Sequence, residues 1–433
     1  MDTEIEKEIS INKVYYFPSS VVITKVDEKF LVIHPESSSW LVFNLEELKV
    51  FDDLRNGHTI GNILEKYDKL IAISVLTQIE AKHFETPFVK EEVKRNIYIY
   101  LTNFCNLRCK HCYMYAGEKL VSELSLSDWK KIILDFKKNG GNGITFTGGE
   151  VTIYKEFAEL IKYTHNLGIS VTVLTNGLLW TPELIQKLSL FIDEVQISID
   201  GYDSKSYASV RQVDGFQRAL DTIIAFSKTQ SKVCMAVTPL YDNIEEFVKR
   251  FESFGKRFLK ENPNVTIKIN MELIPGREIN PTETENQKYR EKLKELTEVL
   301  YPDYYKKNFI LNFTEKTLMR NCGFGEISLA SNGDVYWCNR IFELSPILNI
   351  KDSSFKDLFK KSDFVRTLTD VDHSELCSKC EIRYICGGSC RIKWPDINNY
   401  NKQNHMWQNV CPAGRKEKFY KQMIESNEFF FQN

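Results

Sequence analysis

The chain of 433 residues holds no run of 18 or more apolar residues, which excludes an ordinary membrane-spanning helix. Net charge is only −2, so neither sign dominates and nothing favours nucleic acid or an anionic membrane as partner. Residues 1–60 lack a Lys/Arg stripe and are rich in acids, which argues against a DNA-reading face there. No signal peptide opens the chain; Met1-Asp-Thr-Glu-Ile-Glu-Lys-Glu8 is acidic and polar. Together these absences predict a cytoplasmic protein with no membrane and no nucleic-acid partner. Hydrophobic content of 42% and charged content of 27% are those of a globular protein, and the length suits two or three domains. Cysteine is missing from the first 104 residues and then comes in clusters: three at 105–112, the isolated Cys234, and seven between 322 and 411. In a reducing compartment clustered thiols read as metal ligands rather than disulfides.

The first cluster is Leu101-Thr-Asn-Phe-Cys105-Asn-Leu-Arg-Cys109-Lys-His-Cys112-Tyr113, just after an apolar run. Three thiolates in eight residues cannot pair off. They can hold three irons of a 4Fe–4S cube and leave the fourth open. Zinc would need a fourth protein ligand, for which His111 is the near candidate, and C-x3-C-x-H-C is not a usual zinc spacing. The spacing, with an aromatic ring before the last cysteine, resembles the radical S-adenosylmethionine (SAM) enzymes. The resemblance implies that Cys105, Cys109 and Cys112 hold the catalytic cluster and that its open iron takes the amino and carboxylate groups of SAM. Reductive cleavage of SAM would then give a 5′-deoxyadenosyl radical that abstracts hydrogen from a substrate.

From Ile97 the chain alternates strand-like runs with amphipathic stretches, a βα pattern that predicts a parallel sheet. Strands are expected at 96–101, 143–147, 170–174, 194–199, 232–237 and 266–271, with helices such as 127–139 and 157–167. Six such units resemble the partial (β/α)6, TIM-like barrel of that family, placed here at residues 93–315, with the ligand site at the strands' C-terminal ends. Gly148-Gly149-Glu150 follows the second strand; its glycines permit close approach, and the motif resembles the one that meets the SAM amino group. Val151 stands where many relatives have proline. Asn176, Ser198 and Asp200 end the third and fourth strands, either holding ribose and methionine groups or serving as caps and turns. Arg211 matches the family's arginine near the SAM carboxylate, and His111 is counted with these SAM-site residues. Cys234, inside a strand, reads as a small buried hydrophobe.

Residues 1–92 offer three short β-branched and aromatic runs near 21–24, 30–34 and 40–43, then three helical stretches, the first opened by a capping box at Asn44 and Glu47. This winged-helix-like pattern resembles the peptide-recognition element of pathways that modify ribosomally made peptides. It implies that a leader peptide adds as a strand at the sheet edge beside the third helix. A structural cap or a DNA-reading winged helix are the other readings.

Residues 316–433 carry Cys322, Cys338, Cys377, Cys380, Cys386, Cys390 and Cys411 at spacings that resemble the SPASM pattern of peptide-modifying radical SAM enzymes. By that resemblance Cys322, Cys338 and Cys390 hold one auxiliary 4Fe–4S cluster, and Cys377, Cys380, Cys386 and Cys411 another. Two fully thiolate-ligated cubes need eight cysteines, and the eighth is absent: residues 313–321 contain none. The open position takes either a substrate thiolate or a carboxylate or water. Ser331-Asn-Gly-Asp334 predicts a tight hairpin, and residues 416–424 a surface helix with no assigned role. The whole implies three 4Fe–4S clusters, SAM, a precursor peptide and a flavodoxin- or ferredoxin-type electron donor. The expected reaction is a Cys thioether crosslink. Its rivals are carbon–carbon or carbon–oxygen crosslinking, a sulfatase-type oxidation to formylglycine, and a non-catalytic iron–sulfur carrier or regulator.

Overall fold

Three short strands open the structure, a computed structural model that describes residues 10–85, 94–314, 318–394, 397, 406–409 and 411–432. The domain boundaries expected at 92/93 and 315/316 lie outside the described residues. Contacts divide the chain into two compact units: Met1–Glu92, Asp303–Cys322 and Arg366–Asn433 form one, and Val93–Pro302 with Gly323–Val365 the other.

In the first unit, β1 (Val22–Val26), β2 (Lys29–His34) and β3 (Ser39–Phe43) form an antiparallel sheet in that order. The helices Leu45–Arg55, Ile60–Lys66 and Lys69–Ala81 follow, the first started by the Asn44–Glu47 capping box. Alternation sends Val32, Leu41 and Phe43 to the helices, where they meet Phe51 and Val75. It sends Leu31, Ile33, Trp40 and Val42 the other way, onto Ile382, Ile385, Tyr420 and Met423. Both faces are buried, which is why these strands read as continuous apolar runs. The C-terminal helix runs over Arg415–Gln432. It is not the surface helix expected at 416–424: Tyr420, Met423 and Asn427, three and four residues apart, line its inner side, and Met423 is fully buried. Trp40 Nε1 donates to the Met423 carbonyl at 3.0 Å.

In the second unit β4 (Asn96–Tyr100), β5 (Gly143–Thr147), β6 (Ser170–Thr175), β7 (Glu194–Ser198), β8 (Lys232–Val237) and β9 (Val265–Ile269) lie parallel and in sequence order. Helices join them as expected; Leu126–Lys138 is started by a Ser125–Asp128 capping box. Ile97, Ile144, Val171, Val195 and Cys234 are buried in this sheet. The sheet does not stop at β4. β10 (Ser328–Leu329) pairs parallel to it, and β11 (Asp334–Tyr336) and β12 (Leu348–Asn349) add antiparallel, giving nine strands. The hairpin expected at 331–334 joins β10 and β11, with Gly333 at φ 92° and the Ala330 amide donating to the Asp334 carbonyl at 2.8 Å. No helix among the described residues is long and apolar enough to cross a membrane.

Candidate active site

The cysteine loop leaves β4 and is fastened along its length. Cys105 N–H donates to Gly117 O at 3.0 Å, and Lys110 N–H to Val210 O at 2.9 Å. Glu123 accepts from the Asn103 amide at 2.7 Å and from Thr102 Oγ1 at 3.0 Å. Arg277 reaches the Cys109 carbonyl at 3.3 Å, and Glu278 N–H the Lys110 carbonyl at 2.8 Å. Gly276 lies so close that a Cβ there would stand 2.7 Å from the His111 backbone. Cys105 and Cys109 are buried and Cys112 half-buried in one cluster with Tyr100, Leu107 and Met114. Burial pushes the Cys105 thiol up to about 11; it also raises Cys109, against the pull of Arg211.

The Gly148–Glu150 segment packs directly on this loop. Gly149 N–H donates to Thr102 O at 2.7 Å, and Glu150 N–H to Phe104 O at 2.8 Å. Those two amides are therefore spent on the loop, and not free for a ligand as glycine-rich strand ends suggest. Gly148 sits at φ 136°, and a Cβ on Gly149 would stand 2.1 Å from the Phe104 carbonyl oxygen. Gly149→Ala should displace the cysteine loop, so we expect anaerobically reconstituted Gly149→Ala to hold less iron than the parent by colorimetric assay. The Glu150 carboxylate, 1% exposed, turns inward to accept from Thr152 Oγ1 at 2.6 Å, Thr175 Oγ1 at 2.7 Å and the Asn176 amide at 2.7 Å. It positions Asn176, whose Nδ2 reaches Asn106 Oδ1 of the cysteine loop at 2.8 Å.

Asp200, beyond the end of β7, is the hub of the other side. Its Oδ2 lies 2.7 Å from His111 Nε2 and 2.6 Å from Arg211 Nη2, and its Oδ1 accepts the Thr238 amide at 2.7 Å. Burial alone would raise this carboxyl, but Arg211, His111 and the amide together hold it below the usual carboxylate range. Asp200 thus ties His111 of the cysteine loop to Arg211. Arg211 Nη1 lies 3.9 Å from Cys109 Sγ. Its Nε is buried with no hydrogen-bond partner, a donor that a ligand carboxylate would complete. Ser198 ends β7, half-buried, in register with Ala236. The cysteine loop, the Gly148–Glu150 segment, Asn176, Asp200 and Arg211 therefore gather at the C-terminal ends of β4–β7. Among the described residues no three His, Cys, Asp or Glu side chains close on a single metal ion. The donor set, three thiols with a buried cation beside them and an unsatisfied guanidinium nitrogen, fits a cluster with an amino-acid ligand.

In the first unit Cys377, Cys380, Cys386 and Cys411 line one cavity of about 220 Å3. Four thiols around a single cavity fit the four-cysteine cluster implied by the spacing. Arg391 N–H, next to Cys390, donates to Cys322 Sγ at 3.4 Å. Cys338 follows β11 in the second unit.

The sheet edge expected to take a leader strand is filled by the chain itself. Val42 N–H donates to Gln78 Oε1 at 3.1 Å, and Gln78 Nε2 to Val42 O at 2.9 Å. The amide of Gln78 thus makes the pair of contacts that an incoming strand would make. Lys82 Nζ donates to Trp40 O at 2.8 Å. Strand addition at β3 beside the third helix is closed in this structure. Gln78→Ala should leave both Val42 groups unpaired, at about 1–3 kcal/mol each, read as a lower urea midpoint.

The Radical SAM superfamily profile matches residues 99–254, and that of an iron–sulfur cluster-binding domain, SPASM, residues 321–381. The sporulation killing factor maturation protein SkfB of Bacillus subtilis is 37% identical over 147 residues, which is 34% of this chain and 36% of SkfB. An AdoMet-dependent heme synthase of Methanosarcina barkeri is 26% identical, over 68% of this chain and 90% of its own. The mycofactocin maturase MftC of Mycolicibacterium smegmatis is 28% identical, over 67% and 76%. Among solved structures, Streptococcus suis SuiB bound to S-adenosylmethionine superposes with TM-score 0.53 at 15% identity, covering 93% of this chain and all of that one. That likeness speaks for the fold.

Proposed function

The chain carries a radical SAM domain and a SPASM iron–sulfur domain, and from this premise we propose that it modifies a ribosomally made precursor peptide, closing a Cys thioether crosslink. The observation that carries the reading is the constellation at the ends of β4–β7: three cysteines in one fastened loop, with Arg211 held against Cys109 by a fully buried Asp200. When bound, the reduced cluster and SAM supply a 5′-deoxyadenosyl radical. The protein's own part is to hold and orient. Cys105, Cys109 and Cys112 would ligate the cluster, the Arg211 Nε would meet the SAM carboxylate, and Asp200 would keep the guanidinium aimed. Glu150 fixes Asn176 against the loop.

A peptide substrate is supported by the names of SkfB and MftC, both maturation proteins. Residues 1–92 are the proposed leader-binding domain, 93–315 the radical domain and 316–433 the SPASM domain. Since β3 is closed by Gln78 and Lys82, a leader strand would have to displace them or use β1. The thioether is supported by the seven-cysteine count, which leaves one auxiliary iron without a cysteine, and a flavodoxin- or ferredoxin-type protein is the proposed electron source. The crosslink removes one hydrogen atom from carbon, one proton from sulfur and one electron.

Intact mass of peptides encoded beside the gene, after anaerobic incubation with enzyme, SAM and reductant, tests this. A loss of two hydrogens with the matching cysteine closed to alkylation is expected. The same loss with every cysteine still alkylatable would replace the thioether with a carbon–carbon or carbon–oxygen bond.

A further inference from the structure

The cavity lined by Cys377, Cys380, Cys386 and Cys411 is not ringed by thiols alone. Two of the four sulfurs accept side-chain hydrogen bonds. Arg415 Nε lies 3.2 Å from Cys386 Sγ, and the same guanidinium is steadied by Nη2 donating to Gly388 O at 2.9 Å. Asn409 Nδ2 lies 3.1 Å from Cys377 Sγ. Its Oδ1 accepts from Ser374 Oγ and, at 3.4 Å, from Leu376 N–H, so the amide cannot turn over without losing both.

The charges around the cavity are unequal. Lys416 is neutralised by Glu381 at 2.8 Å, and Arg383 by Asp372 at 3.1 Å and Glu36 at 3.5 Å. Arg415 has no carboxylate within ion-pair distance among the described residues; its polar partners are a thiol sulfur and a carbonyl. It is also the first residue of the helix Arg415–Gln432, whose amino end adds partial positive charge on the same side.

An iron–sulfur group held here gains one electron and no proton on reduction, so its reduced state is the more negative. Donors to the sulfurs and an uncompensated cation favour that state. We propose that Arg415 and Asn409 raise the reduction potential of the cluster at Cys377, Cys380, Cys386 and Cys411, making it an electron acceptor. Its use as the sink for the electron released on crosslinking rests on the function proposed above; the effect on potential does not.

The test is an EPR-monitored redox titration of the full chain, anaerobically reconstituted. It is done in a Cys105→Ala, Cys109→Ala, Cys112→Ala background so that auxiliary signals alone remain. Arg415→Met should move one auxiliary signal to a more negative midpoint, Arg415→Lys should recover part of the shift, and Asn409→Ala should give a smaller shift of the same sign. Midpoints equal to the parent's at equal iron content would overturn the proposal. Should Arg415→Met fail to hold iron, an unmoved midpoint in both Arg415→Lys and Asn409→Ala would overturn it equally. These shifts, alongside peptide left unmodified by the enzyme whose Cys105, Cys109 and Cys112 are intact, would leave the tuning standing and sink the peptide reading.

Discussion

Replacing Cys105, Cys109 and Cys112 together by alanine should abolish release of 5′-deoxyadenosine from SAM under dithionite, measured by chromatography. It should also remove the iron of one cluster while leaving the rest. The loss is expected to be complete because the loop holds no further cysteine and its His111 is engaged with Asp200 at 2.7 Å. The retained iron follows from the cavity of Cys377, Cys380, Cys386 and Cys411, which shares no ligand with the loop. Cleavage by the triple variant at the parent rate would mean that SAM is not activated at this loop.

Asp200→Ala carries the second large effect. The carboxylate is 1% exposed, and Arg211, also buried, has it as its ion-pair partner. Removing one partner of a buried pair leaves an uncompensated charge, at about 3–5 kcal/mol. Equilibrium urea unfolding should show that loss, and SAM affinity by calorimetry should fall as Arg211 loses its aim. Asp200→Asn keeps the shape but not the charge and should share the defect. The pH dependence has a definite sign. A carboxyl held below its ordinary value stabilises the fold above the unfolded-chain value and loses that contribution as pH falls through its depressed folded value. The parent should therefore lose stability more steeply than Asp200→Asn on acidification through the carboxylate range. Parallel curves would show that the pair contributes nothing.

Much of this was legible in the chain because the informative signals are local. The strands at 143–147 and 232–237 fall where alternation and turn residues put them. The capping box at Asn44 and the hairpin at Gly333 are short-range chemistry. What stayed hidden is long-range. Arg277 and Gly276 cover a loop more than 160 residues earlier, with no period or motif to announce them. Glu123 supports the cysteine loop from an irregular segment. Gln78 closes β3 although glutamine on a helix ordinarily reads as surface. The final helix buries Tyr420 and Met423, but that stripe is narrow and its partner Trp40 lies at the other end of the chain. Asp200 was legible as a polar strand end, yet its contact with Arg211 is one only the fold reveals.

The proposed reaction is hydrogen abstraction from a peptide by a radical made at this cysteine loop. It is tested most directly by incubating the parent anaerobically with SAM, reductant and a perdeuterated candidate precursor peptide. The 5′-deoxyadenosine is then weighed. Deuterium in the nucleoside, matched by crosslinked peptide, is the expected result. SAM cleaved at full rate with no deuterium recovered, while the peptide nonetheless became crosslinked, would contradict it.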